Sequence, residues 1–181
     1  MPTVLVAYAT KHHATAEIAE AIGEELRQAG LKVDIRDVNT ITSIAPYAAV
    51  VVGSAVYAGH WQPSAIQFLE AHEGELAQRP VWLFSSGPTG SGDPVSLMKG
   101  WSFPEGLKSL AERIGPRDIA LFHGKIDPTR LNFLERAAVK MVKAPVEDSR
   151  DWKLIREWAH AVAYALQQDG TYDTKPLEVT F

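Results

Sequence analysis

Six residues near the N-terminus, Thr10-Lys11-His12-His13-Ala14-Thr15, have the composition of an anion-binding turn. Two hydroxyls, an ammonium and two imidazoles lie between an apolar run, Thr3-Val4-Leu5-Val6-Ala7-Tyr8, and a helical pattern that opens at Ala16-Glu17-Ile18. The first N–H groups of a helix have no intrahelical partner and carry the positive end of its dipole, so an anion is stabilised there. Thr10 and Thr15 add donors, Lys11 adds charge, and His12 or His13 adds more when protonated. A phosphate-bearing ligand is the occupant that such a turn favours.

Two other stretches could complete a site. Ser54-Ala55-Val56-Tyr57-Ala58-Gly59, followed by His60 and Trp61, combines small residues with aromatics. Small residues let a backbone come close to a flat ligand, and Tyr57 and Trp61 offer faces that stack on it or shield it. Ser85-Ser86-Gly87-Pro88-Thr89-Gly90 is rich in glycine and hydroxyls, a source of backbone amides and adaptable donors. A phosphate grip with two walls for a planar ring meets the physical requirement of flavin mononucleotide (FMN), the expected cofactor. No side chain stands out as a general acid or base. His60 reads as a surface or helix-entry histidine, His123 and Lys125 as a solvated loop, and Trp82 as core.

These stretches need elements to position them. Strand-like runs at 3–8, 32–38, 48–53, 80–85 and 118–123 alternate with helical patterns at 16–29, 63–76 and 103–114. Two more helical stretches follow at 129–143 and 152–168. Gly30 stops the first helix, Pro63 opens the second, and Gly115-Pro116 closes the third. The run 48–53 is continuously apolar, as a central parallel strand is, whereas 32–38 alternates with period two, as an edge strand does. The alternation implies an α/β fold: an open five-stranded parallel sheet, order 2-1-3-4-5, with helices on both faces. Such sheets bind ligands at the carboxyl ends of the strands, where the strand order reverses. The loops after strands one, three and four are the ones named above. One domain is expected over 1–168, with 169–181 as a C-terminal tail.

Bulk composition narrows the function. The 181 residues carry a formal net charge of −4, which gives no support to nucleic-acid binding. There are no cysteines, so disulfides, thiolate metal sites and thiol redox chemistry are excluded, and no metal is expected. No signal peptide is visible, and the longest apolar stretch, 45–58, is broken by Gly53. A cytoplasmic protein is the simplest expectation. Between Leu131 and Lys143, Leu131, Leu134, Ala138, Met141 and Val142 follow helical spacing, with Arg136, Lys140 and Lys143 opposite. The favoured arrangement packs that helix on the sheet with a solvated basic face. The alternative is an interfacial helix making peripheral contact with a quinone-bearing membrane, or attracting porphyrin carboxylates.

The five strands in order, with these loops, resemble the flavodoxin-like family over nearly the whole chain. Its phosphate loop reads Ser/Thr-x-Thr-Gly-x-Thr; this chain matches at Thr10 and Thr15 but has His12 for the inner threonine and His13 for the glycine. Within the family, Val52-Gly53-Ser54-Ala55-Val56-Tyr57-Ala58-Gly59-His60, Phe122-His123-Gly124-Lys125-Ile126-Asp127 and Asp148-Ser149-Arg150-Asp151-Trp152 are similar to the menaquinone-dependent protoporphyrinogen dehydrogenases. The loop Ser86-Gly87-Pro88-Thr89-Gly90 is shorter and richer in glycine than in that branch. The resemblance implies an FMN-dependent oxidoreductase that takes two electrons from a small substrate such as protoporphyrinogen IX and passes them to a quinone. Two alternatives stay open: an electron carrier that docks on redox proteins, and a flavin-free interaction module, which His13 at the glycine position would suit.

Overall fold

A computed structural model describes residues 2–169. Its strands are β1 (Thr3–Ala9), β2 (Lys32–Asp37), β3 (Tyr47–Tyr57), β4 (His60–Trp61), β5 (Val81–Ser86) and β6 (Asp118–Phe122). Its α-helices are α1 (Ala14–Gln28), α2 (Pro63–Ala71), α3 (Glu73–Leu76), α4 (Pro94–Leu97), α5 (Lys108–Ile114), α6 (Phe133–Val142) and α7 (Trp152–Gln168). The five long strands are all parallel and lie in the order β2-β1-β3-β5-β6. Counting only these five, that is the expected order; the two-residue β4 adds an antiparallel flap to β3.

Alternation along each strand divides the apolar residues between two cores. Leu5, Ala7, Val50, Val52 and Leu83 face Phe68 and Leu69 of α2, Leu76 of α3, and Leu110 and Ile114 of α5. Val4, Val6, Val51, Trp82 and Phe84 face Ile18, Ile22 and Leu26 of α1 and Ile155, Ala159 and Val162 of α7. Both faces of β3 and β5 are covered, which is why 48–53 and 81–84 are apolar throughout. Gly53 sits where β3 crosses Phe84, and a Cβ there would lie 2.0 Å from that ring. The chain reverses direction across the sheet at β1, so the crevice opens at the carboxyl ends of β1 and β3.

Several boundaries differ from the sequence pattern. The first helix starts at Ala14, because His13 already turns the chain. The 63–76 helix is two pieces, interrupted at His72. Pro94–Leu97 is a short unanticipated helix, begun by the Asp93 carboxylate accepting from Ser96 N–H. The 129–143 pattern resolves into a 3-10 turn at Pro128–Arg130 and then α6, which opens at a capping box between Asn132 and Glu135. The largest correction concerns how α6 packs. None of its residues is buried, so it does not cover the sheet as expected. Of the expected tail, Asp169 pairs with Arg117, and 170–181 lie outside the described residues. Among the described residues, no helix is long and apolar enough to cross a membrane and no metal-holding cluster occurs.

Candidate functional site

The turn between β1 and α1 is shaped by one unusual residue. His13, the N-cap of α1, has φ 73° and ψ −12°, a left-handed conformation that usually falls to glycine. The turn therefore requires positive φ at the position where the family pattern has glycine, and histidine adopts it. Its side chain makes no cap, so no side chain answers the first N–H groups of α1. Thr15 follows in the first turn. It is completely buried, and its Oγ1 has no hydrogen-bond partner among the described residues. Buried hydroxyls are almost always paired, so this one points to an acceptor that arrives with a ligand. Uncapped amides, a buried unpaired hydroxyl and a helix dipole together fit a phosphate.

The rest of the turn meets α6. Lys11 Nζ and His12 Nε2 both engage Glu135 Oε1, the latter at 3.1 Å. Hydrogen bonding from Lys11, then from the Asn132 backbone, holds the Glu135 carboxyl down at about 2. Tyr57 closes the group. Its ring lies 5.3 Å from Lys11 Nζ and 6.2 Å, edge-on, from the His12 ring. Burial first, and the Glu135 charge second, push its phenol up to about 12, so it stays protonated across the physiological range. A narrow cleft of about 10 Å³ beside the turn is lined by His12, His13, Ala14, Glu17, Lys125, Asp127 and Arg130.

The stretch after β3 proves to be a hairpin rather than an open loop. Ser54, Ala55, Val56 and Tyr57 continue the strand, and Val56 and Tyr57 pair with Trp61 and His60. Ala58 and Gly59 make the two-residue turn with φ of 49° and 76°, the double positive φ that such hairpins use. Ser54 Oγ fixes its base by accepting from Gln62 N–H and donating to the Ala55 carbonyl. Trp61 does not present a face to the crevice. It is 2% exposed, packs edge-on against Phe103, and donates its indole N–H to Ser85 Oγ at 2.8 Å. The aromatic beside the turn is Trp101 instead, 3.5 Å from where a Gly59 Cβ would be.

The stretch after β5 is held firmly rather than left adaptable. Ser85 and Ser86 are strand residues, and Ser85 is occupied by Trp61. Gly87 N–H donates to the Phe122 carbonyl, Thr89 Oγ1 to the Pro145 carbonyl, and Gly90 N–H to Ser149 Oγ. The Pro88 carbonyl receives Gly124 N–H and lies 3.3 Å from His123 Nδ1, while His123 Nε2 lies 2.7 Å from the Gly92 carbonyl. Gly124 passes so close that a Cβ would fall 2.4 Å from the Gly87 oxygen. His123 is thus 7% exposed and a brace for this loop, not a solvated residue.

Three residues that hold the site were not singled out by composition or spacing: Glu135, Trp101 and Arg150. Arg150 has a bidentate pair with Asp148, reaches Glu17 and the Ala14 carbonyl in the first turn of α1, and stacks 4.6 Å from the Trp152 ring. Burial opposes its charge, but Asp148 and Glu17 outweigh that and raise its pKa. Arg150 and Glu135 find their partners 133 and 123 residues away, which no local pattern reveals.

The doubly covered parallel sheet, with a phosphate-type turn at its switch point, defines a flavodoxin-like α/β protein. The chain belongs to the flavodoxin domain family, whose model matches residues 5–153. Among curated proteins it is similar to protoporphyrinogen IX dehydrogenase [quinone] of Escherichia coli (strain K12), 28% identical over 83 residues. That match spans 45% of this chain and 46% of that protein, just under half of each. Among solved structures, a flavodoxin from the domain Archaea has a TM-score of 0.59 at 12% identity, covering 91% of this chain and 99% of that one. Rubredoxin oxygen:oxidoreductase from Desulfovibrio gigas has a TM-score of 0.58 at 19% identity, covering 92% of this chain and 36% of that one. At these identities the structural likenesses establish the fold.

Proposed function

We propose that this chain binds FMN and works as a quinone-dependent dehydrogenase of the protoporphyrinogen IX-oxidising type. The observation that carries the cofactor is the buried, unpartnered Thr15 hydroxyl at the uncapped start of α1. Thr10, Lys11, His12, His13, Ala14 and Thr15 would hold the phosphate. Ser54 to Gly59 and Ser86 to Gly90 would flank the ring, with Trp101 beside the first wall in place of Trp61. The two-electron redox chemistry would come from FMN when it is bound. Around it, Tyr57 offers a neutral phenol, Lys11 brings positive charge, and the braced 87–92 loop keeps its backbone rigid. The partial likeness to the Escherichia coli dehydrogenase supports the substrate and the quinone acceptor. A quinone acceptor dissolved in lipid would be met by a protein working peripherally at the inner face of the cell membrane.

The test is anaerobic turnover of FMN-loaded protein with protoporphyrinogen IX and a soluble quinone, read by porphyrin fluorescence. Porphyrin formation that depends on both the protein and the quinone is expected. No turnover, together with a stable one-electron-reduced flavin on titration, would instead mark an electron carrier.

A further inference from the structure

α6 is an amphipathic helix whose apolar side is turned to solvent. At 100° per residue, Phe133, Leu134, Ala137, Ala138, Met141 and Val142 fill about half of its circumference. Phe133, Leu134, Met141 and Val142 are 84%, 76%, 82% and 71% exposed. Glu135 and Val139, which are half-buried, face the body of the protein instead. Lys140 borders the apolar half beside Phe133, and Arg136 and the C-cap Lys143 lie further round on that same flank. None of the three has an ion-pair partner among the described residues, whereas Lys11, Arg130 and Arg150 all do. Between 125 and 143, Lys125, Arg130, Arg136, Lys140 and Lys143 face only Asp127 and Glu135, on a chain whose net charge is −4.

We infer that α6 docks this protein on an anionic lipid surface, with the apolar half at the headgroup–acyl boundary and the basic edge on lipid phosphates. A large amphipathic moment with cations beside the apolar face is the signature of an interfacial helix, and the cations match the negative surface of such a membrane. A second copy of the chain fits less well. Ten residues give a face about 15 Å long and on the order of 250 Å² in area, against about 800 Å² per partner in a stable dimer. Glu135 joins this same helix to Lys11 and His12, so docking would hold the phosphate turn about one helix diameter, roughly 10 Å, from the lipid surface. The inference names a partner for the proposed quinone-dependent function, but it rests on α6 alone and not on bound flavin.

The test is co-sedimentation of the full chain with phosphatidylcholine vesicles that contain or lack phosphatidylglycerol. Binding to the anionic vesicles, weakened by salt, is expected. Phe133→Asp with Met141→Asp should reduce that binding at least about tenfold, and Arg136→Glu with Lys140→Glu by about ten- to a hundredfold. None of these four residues is buried, so both variants should fold and keep the wild-type FMN affinity. Absence of binding, or binding unaffected by either variant, would overturn the docking role. So would a dimer in sedimentation velocity that Phe133→Asp with Met141→Asp dissolves. FMN titration of the same samples separates the two ideas: intact flavin binding without vesicle binding defeats docking alone, and vesicle binding without flavin binding supports docking while defeating the flavin site.

Discussion

Replacing Thr15 by valine should change two quantities in opposite directions. The side chains are close in size, so packing in the fully buried site is nearly preserved while the hydroxyl is lost. In the ligand-free protein that hydroxyl has no partner, and a buried unsatisfied polar group costs about 1–3 kcal/mol. Thr15→Val should therefore stabilise the ligand-free protein by about 1–2 kcal/mol, a rise in Tm of roughly 2–8 °C for a chain of this length. With FMN bound, the same hydroxyl would donate to a charged phosphate, a bond worth about 1.5–3 kcal/mol. The variant should thus bind FMN about ten- to a hundredfold more weakly. Thermal melting without flavin and a fluorescence titration with FMN read the two effects. A variant that melts lower and binds FMN as tightly as the wild type would show that Thr15 is an ordinary buried hydroxyl and that the phosphate lies elsewhere.

His13→Gly removes a side chain from φ 73° and should stabilise the fold by about 1 kcal/mol, seen as a higher urea midpoint at constant m. Gly53→Ala sets a methyl 2.0 Å from the Phe84 ring and should cost about 1–3 kcal/mol in the same assay. Trp61→Phe keeps the core filled but leaves Ser85 Oγ unanswered, and should cost about 1–3 kcal/mol with little change in FMN affinity, since the ring faces away from the crevice. The Glu135 contacts should be pH-dependent. Its carboxyl falls from an ordinary 4.5 to about 2 in the fold, so its contribution is complete above about 4.5 and fades as the pH drops toward 2. Hydrogen exchange should show the α6 amides losing protection over that window before the β3 and β5 amides do. Simultaneous loss everywhere would mean that Glu135 does not tether α6 independently.

The sheet was legible because burial leaves a plain mark. Strands covered on both faces must be apolar along their buried length, as 48–53 and 81–84 are, and the edge strand at 32–38 must alternate. Helix ends were legible where their chemistry is local, as at Pro63 and at Gly115, which caps α5 at φ 68°. The side of α6 that meets solvent was not legible. A period of 3.6 identifies an apolar face but not what lies against it. Trp61 was misplaced for a related reason. An aromatic among small loop residues looks available until the Ala58-Gly59 turn folds β4 back on β3 and drives the ring inward. In the 85–90 stretch, composition displays donors but cannot show that Thr89, Gly87 and Gly90 are already engaged. His13 was legible only as a departure from a pattern; the structure supplies the positive φ that gives the departure meaning.

The most direct measurement is an absorption titration of the purified protein with FMN. Flavin bands shifted by binding and saturating at one equivalent, with the Thr15→Val variant needing roughly ten- to a hundredfold more FMN, are the expected result. An unshifted spectrum at micromolar FMN, in a protein whose fold is intact by circular dichroism, would contradict the phosphate site between β1 and α1 and leave a flavin-free member of the family.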